Sequence, residues 1–153
     1  MEIYGEFENK LDENGRLTIP RRFRSLFREE AFLCRSIAGQ SLTLWPLDTW
    51  HELTRKLSGP IESFADLSCL TLQRFFASGV TVSLDQKGRI GIPNYLRRAA
   101  KLGAEIYLIA IGDRLEIWDR NAWDEYCINQ MTPEALEQAM QCLQLREEED
   151  RSY

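Results

Sequence analysis

A chain of 153 residues, 44% hydrophobic and 28% charged, has a globular composition and the length of about one ordinary domain, able to bury roughly 70% of its unfolded surface. No apolar run reaches the ~18 residues that a membrane-spanning helix needs, and the opening "MEIYGEFENK" is too polar and acidic for a signal peptide. The net charge of −5 argues against a nucleic-acid partner only until it is located: residues 124–153 hold eight acids and two arginines, whereas residues 1–123 hold seventeen Lys and Arg against sixteen acids.

In chain order, "GEFENKL" alternates Phe7, Asn9 and Leu11 with polar neighbours, a weak strand. "DENG" follows as a turn in which Asp12 accepts a backbone N–H and Gly15 supplies the positive φ. "RLTIP" alternates again with Leu17 and Ile19 on one face, and Pro20 ends the ladder and suits a first helical turn. "PRRFRSLFREE" sets Phe23, Leu26 and Phe27 in one apolar stripe among arginines. "AFLCRSIAG" is a strand closed by Gly39, "SLTLW" is its hairpin partner, and a helix over 48–57 takes Asp48 or Thr49 as cap. After the break "SGP" at 58–60, "SFADLSCLTLQRFFA" predicts a helix turning Phe64, Leu67, Leu70 and Leu72 toward a core.

The order then repeats. "VTVSL" and "RIGIP" are strands around the turn "DQKG", "NYLRRAAKLG" is a helix ending on Gly103, "EIYLIAIG" and "RLEIW" form a hairpin, and "RNAWDEYCI" is a helix. "MTPEALEQAMQCLQLREEED" is a last helix, capped by Thr132, with Pro133 in its first turn and Leu136, Met140 and Leu143 in a stripe. Its acidic end opposes the helix dipole, which predicts fraying there.

The repetition is a duplication. "LDENGRLTIP" at 11–20 returns as "LDQKGRIGIP" at 84–93, and Gly39 and Gly112, Trp45 and Trp118, Trp50 and Trp123 keep the same offset of 73. The match is read as running without insertion from about residue 7 to 50 and from 80 to 123. The predicted organisation is a first repeat at 1–57, a linking helix at 58–76, a second repeat at 77–129, and a C-terminal helix with acidic tail at 130–153. The fold class is mainly β with short helices (α+β), a pseudo-two-fold barrel of two interlocked ββαββ repeats. Each repeat carries a basic block after its turn: Arg16, Arg21, Arg22, Arg24 and Arg28 in one, Lys87, Arg89, Arg97, Arg98 and Lys101 in the other, with no acid between.

"LDENGRLTIPRRFR" and "LDQKGRIGIPNYLR", with "LQRFFASG" before the second and "GDRLEIWDRNAW" after it, resemble the MraZ family, relatives of the AbrB-type swapped-hairpin transcription factors, over about residues 5–126. The resemblance implies a cytoplasmic, nucleoid-associated DNA-binding regulator, a repressor of the division and cell-wall gene cluster including its own promoter. It implies binding to G-rich direct repeats of double-stranded DNA and a homo-oligomer in the form of a ring. Family turns often carry a lysine before the glycine, as Lys87 does; the first turn has Asn14 beside Glu13, and "MEIYGEF" lacks the arginine often found near the family's N-terminus.

The chemistry of the turn fits that implication. Gly15 and Gly88 permit a tight bend, and Asp12 and Asp85 lock it and brace the arginine four residues on. Arg16 and Arg89 then stand where a planar guanidinium can meet guanine O6 and N7 with two hydrogen bonds, worth roughly 1–3 kcal/mol of discrimination. Lys87, Arg21, Arg22, Arg97 and Arg98 are assigned to phosphate, with Asn14 in the equivalent place of the first turn. So few contacts on a nearly neutral body predict weak binding by one chain and several chains on repeated sites.

The other distinctive side chains reduce to packing. Trp45, Trp50, Trp118 and Trp123 are expected as anchors, and Cys34, Cys69, Cys127 and Cys142 as reduced residues without C-x-x-C pairing. His51 has no nucleophile partner, so no enzyme, cofactor or metal site is expected. The rival to a DNA-binding regulator is an antitoxin-like partner-binding protein of the same fold; a ring that needs no DNA is the third reading.

Overall fold

The alternating stretches fold as strands and the apolar stripes as helices, in the predicted order. The computed structural model describes residues 2–57, 59 and 64–152, in two units, residues 1–120 and 121–153. The first repeat supplies β1 (Ile3–Lys10), β2 (Arg16–Thr18), α1 (Arg21–Phe27), β3 (Glu30–Arg35), β4 (Leu42–Pro46) and α2 (Leu47–Leu57). Helix α3 (Phe64–Phe76) leads to β5 (Val80–Ser83), β6 (Arg89–Gly91), α4 (Asn94–Ala99), β7 (Glu105–Gly112) and β8 (Leu115–Asp119). Then follow α5 (Arg120–Asn129) and α6 (Pro133–Arg151).

The two repeats interlock strand by strand. Six strands form one antiparallel sheet in the order β1-β7-β8-β4-β3-β5, and β2 pairs with β6 in a second sheet. Exchanging the repeats (β1 for β5, β3 for β7, β4 for β8) reverses the six-strand order without changing it. A pseudo-two-fold axis therefore passes between β4 and β8, where Thr43 faces Glu116, and between β2 and β6, where Leu17 faces Ile90. Both pairs are 73 residues apart. Although a tight turn joins β1 to β2, neither ladders with the other: each pairs with a strand of the second repeat. The barrel expected from the sequence is an open one, since the six-strand order has two ends.

Pairing register corrects the constant offset. Leu33 faces Leu44 and Val80, and the residue so placed in the second repeat is Leu108, facing Ile117 and Phe7. Leu33 and Leu108 are 75 apart while their partners are 73 apart, so β7 is displaced by two residues. The connection after α4 is longer by two, and the following hairpin is shorter by two. The end of α4 differs as well: Lys101 takes at φ 52 the positive-φ position expected of Gly103, and its equivalent after α1, Arg28, also has a positive φ of 51, with ψ at −124.

The core lies where both repeats contribute. Leu17, Ile19, Leu33, Leu42 and Leu44 from one, with Ile90, Ile92, Leu108, Leu115 and Ile117 from the other, are nearly or wholly buried. Equivalent positions need not match in size: Phe23 and Phe27 of α1 correspond to Leu96 and Ala100, and all four are buried. Phe7 meets Phe23 edge-on at 5.0 Å, filling space on the bulkier side. Trp50 stacks on Phe32 at 3.8 Å and meets Phe76 edge-on at 4.8 Å, which ties α2 and α3 to β3. Leu67, expected inward, is 47% exposed, because α3 packs through its C-terminal end. The Phe64 side chain and most of the 58–60 break lie outside the described residues.

Cys34 is buried, which pushes its thiol up to about 11 against a smaller opposing effect of Trp45, so it is protonated at neutral pH. Cys69 and Cys127 are half-buried, whereas Cys142 is exposed. In the second unit, Trp123 stacks on Tyr126 at 5.8 Å, and the Thr132 hydroxyl accepts from the Ala135 N–H at 3.2 Å, capping α6. That helix runs on to Arg151, through the acidic run where fraying was expected, and Leu136, Met140 and Leu143 are exposed along it.

Leu17 sits on the axis with no exposed surface. Leu17→Ala is expected to cost about 2–5 kcal/mol in equilibrium urea unfolding. Leu26→Ala, at a half-buried position of α1, is expected to cost less.

Candidate nucleic-acid interface

Each turn is built around one carboxylate. Asp12 Oδ1 accepts from the backbone N–H groups of Asn14 (2.9 Å) and Arg16 (2.8 Å), and Oδ2 accepts from Arg16 Nε at 3.2 Å. Asp85 repeats the pattern, with Lys87 N and Arg89 N both at 2.9 Å and Arg89 Nε at 2.8 Å. The Gly15 and Gly88 amides close back on the Asp12 and Asp85 carbonyls at 3.0 and 2.9 Å, with φ of 72° and 75°. A short turn followed by a left-handed glycine is what this bend requires. The Arg16 and Arg89 amides beside them hold the Asp12 and Asp85 carboxyls below their ordinary 3.8, partly offset by desolvation.

The turns are stitched across the axis. Ile19 N donates to the Gly88 carbonyl at 2.8 Å, and Ile92 N donates to the Gly15 carbonyl at 3.0 Å. Over each glycine lies an arginine of the other repeat: a Cβ at Gly15 would strike the Arg97 guanidinium, and one at Gly88 would strike that of Arg24. Arg24 Nε donates to the Ile19 carbonyl at 2.9 Å, and Arg97 Nε is buried. Arg24 was missed as a site residue in the sequence; its signal was its standing 73 residues before Arg97.

Between β2 and β6, Arg16 faces Gly91 and Thr18 faces Arg89 while Leu17 faces Ile90. Leu17 and Ile90 are wholly buried, so strand alternation puts Arg16 and Arg89 on the opposite, outer face. As diagonal neighbours they stand roughly 7–8 Å apart. Each guanidinium is held to its aspartate through Nε, and its terminal nitrogens make no hydrogen bond among the described residues. The side chains are 39% and 26% exposed, braced yet open to a partner.

The other assigned residues divide. Asn14, Lys87, Arg21 and Arg98 are exposed. Arg22 lies over the rings of Phe7 and Phe23, at 5.4 and 5.3 Å from their centres, and Arg97 is half-buried over the first turn. A groove of about 610 Å³ joins Asp12 to Arg97, Arg98 and Lys101, and its counterpart of about 440 Å³ joins Asp85 to Arg24 and Arg28. Among the described residues no group of three His, Cys, Asp or Glu could hold a metal ion, and no helix is long and apolar enough to cross a membrane.

Comparison with known proteins converges on these same segments. Residues 3–69 and 75–146 match the family model described as "MraZ protein, putative antitoxin-like", one match for each repeat. The chain is 36% identical over 124 residues to a transcriptional regulator MraZ of Moorella thermoacetica, covering 80% of this chain and 85% of the relative. It is 33% identical over 143 residues to a transcriptional regulator MraZ of Acetivibrio thermocellus, covering 92% and 98%.

Two predictions follow from the turn. A side chain at Gly88 meets both a left-handed φ, worth about 1–2 kcal/mol, and the Arg24 guanidinium. Gly88→Ala is therefore expected to lower urea-unfolding stability by at least that amount, whereas Gly91→Ala, with nothing within 4 Å of its Cβ, is expected to be near neutral. The lowered Asp12 and Asp85 carboxyls add stability that is present above their ordinary 3.8 and lost as pH falls through their lower folded values. Unfolding curves from about pH 6 to about pH 2 are expected to show wild type converging on Asp12→Asn/Asp85→Asn at the acid end.

Proposed function

The chain belongs to the MraZ family, and on that premise we propose that it is a sequence-specific DNA-binding transcriptional regulator whose Asp-x-x-x-Arg turns carry the base contacts. One observation supports this above the others: Arg16 and Arg89 lie on one outer face of the β2–β6 pair, braced by Asp12 and Asp85 through Nε. A guanidinium braced at one edge keeps its planar fork oriented, and that fork matches O6 and N7 of guanine.

Phosphate contacts fall to the surrounding cations, chiefly Lys87, Arg21 and Arg98, which stand exposed around the turns. With few such contacts per chain, tight binding calls for several chains on successive sites. A homo-oligomeric ring on G-rich direct repeats, acting as a repressor at the promoter of its own gene cluster, satisfies that arithmetic. A cytoplasmic, nucleoid-associated location goes with it.

Arg16→Ala and Arg89→Ala are each expected to weaken binding to a G-rich repeat by about 1–3 kcal/mol per site, roughly 5- to 150-fold, with the double variant losing sequence preference. Fluorescence anisotropy, with mass photometry on the same samples to confirm an unchanged oligomer, makes the test. Unchanged affinity in all three variants would reject the assignment.

A further inference from the structure

The two turns are unequal in charge. Asp12, Glu13 and Arg16 leave the first turn acidic, whereas Asp85, Lys87 and Arg89 leave the second basic. The grooves beside them are unequal in the opposite sense. The first turn's groove sets Arg97, Arg98 and Lys101 against the carboxylates of Asp12 and Asp119, and Asp119 is engaged by the Gly103 N–H at 2.9 Å. The second turn's groove sets Arg24 and Arg28 against Asp85, Glu29 and Glu30, and Arg28 lies 3.9 Å from Asp48. The helix flanking each turn comes from the other repeat.

Lys101 adds a second, independent observation. It holds the left-handed position after α4 at φ 52, where glycine is the favoured residue, and Arg28 holds the equivalent place at φ 51. Both positions keep a basic residue, on backbone at positive φ, lining the groove beside the opposite repeat's turn. Lys101 is exposed and has no ion-pair partner among the described residues.

From these facts we infer that the DNA-contacting surfaces are composite, each joining one repeat's turn to the other repeat's helix, and that Lys101 and Arg98 supply at the first turn the phosphate contact that Lys87 supplies at the second. The inference rests on the DNA-binding reading above. Arg97, lying over Gly15, is a positioning residue that fixes the turn against α4, which carries Arg98 and leads into Lys101. The asymmetry of the two turns is thereby evened out.

The test uses the full chain and a G-rich duplex, titrated by anisotropy at several salt concentrations. Lys101→Gly and Arg98→Gln are each expected to flatten the slope of log affinity on log salt by about 1, as Lys87→Gln does, and to weaken binding about fivefold near 0.15 M salt. Lys101→Gly removes backbone strain, so its Tm is expected to hold or rise while its affinity falls, an outcome that a merely structural lysine would not give. In double-mutant cycles Lys101→Gly is expected to couple with Arg16→Ala, giving less than the sum of the two single losses, and to be additive with Arg89→Ala. Asn14→Lys is expected to restore the lost slope.

A wild type that binds duplex with a slope unaffected by both Lys101→Gly and Arg98→Gln would overturn the composite surface alone. Coupling of Lys101 to Arg89 instead of Arg16 would overturn the cross-repeat pairing. A wild type with no salt-dependent affinity for any duplex would bring down this inference together with the DNA-binding reading.

Discussion

The hydrogen bonds exchanged between the two turns are the constraint on which the rest of the structure depends. Ile19 donates to Gly88 and Ile92 to Gly15, and between them Leu17 meets Ile90 on the axis. Those contacts bring two three-residue strands together, a length that could not hold a ladder in water unaided. They succeed because the buried faces of Leu17 and Ile90 close the core while the opposite faces carry the arginines. Burial on one side and presentation on the other are thus consequences of a single strand pairing.

Surface ion pairs would ordinarily contribute little to stability, and the Asp12–Arg16 and Asp85–Arg89 pairs are partly exposed. Their value lies in geometry. Each carboxylate gathers two amides and one guanidinium, so turn shape and arginine orientation are set by the same group. The charge of the chain follows a similar division. Its acidity is gathered toward the C-terminus, and the body keeps cations and carboxylates close to parity. A surface of this kind attracts DNA only where cations are concentrated, which favours a few oriented contacts over a broad basic field.

Much of this was legible from residue order, because turns and short amphipathic elements are written locally. Asp12, Gly15, Pro20 and the Phe23–Phe27 stripe announce turn, strand stop and helix within a dozen residues, and the second repeat says so again. Interlocking of the repeats was expected from the duplication and the swapped-hairpin resemblance, but the particular pairing was not: β1–β7 joins residues about a hundred positions apart, which no window of periodicity reports. The two-residue displacement of β7 was hidden because flanking tryptophans and glycines keep the offset of 73 on either side of it. Gly103 drew the helix end toward itself on propensity, whereas α4 closes earlier, with the Leu102 N–H donating to the Arg97 carbonyl at 2.9 Å and Lys101 at positive φ. Leu67 looked like core because its helix has an apolar stripe, yet α3 makes its ring contacts at its far end, with Phe76 against Trp50 of α2 and Phe75 under Arg35 of β3. The site showed the same split. Arg16 and Arg89 stood out through their repeated signature, but the covering role of Arg24 and Arg97 needed coordinates, since each acts on the turn of the other repeat.

The pairing of β1 with β7 also has a bearing on synthesis. Strand β1 leaves the ribosome ahead of its partner and cannot be completed until Gly112 has followed it out of the exit tunnel. At the usual ~5–20 residues per second, its free edge waits about five to twenty seconds for its partner. The Glu6, Glu8 and Lys10 side chains spaced along that strand are the kind of charges that discourage a nascent edge from pairing with a neighbouring chain during the delay.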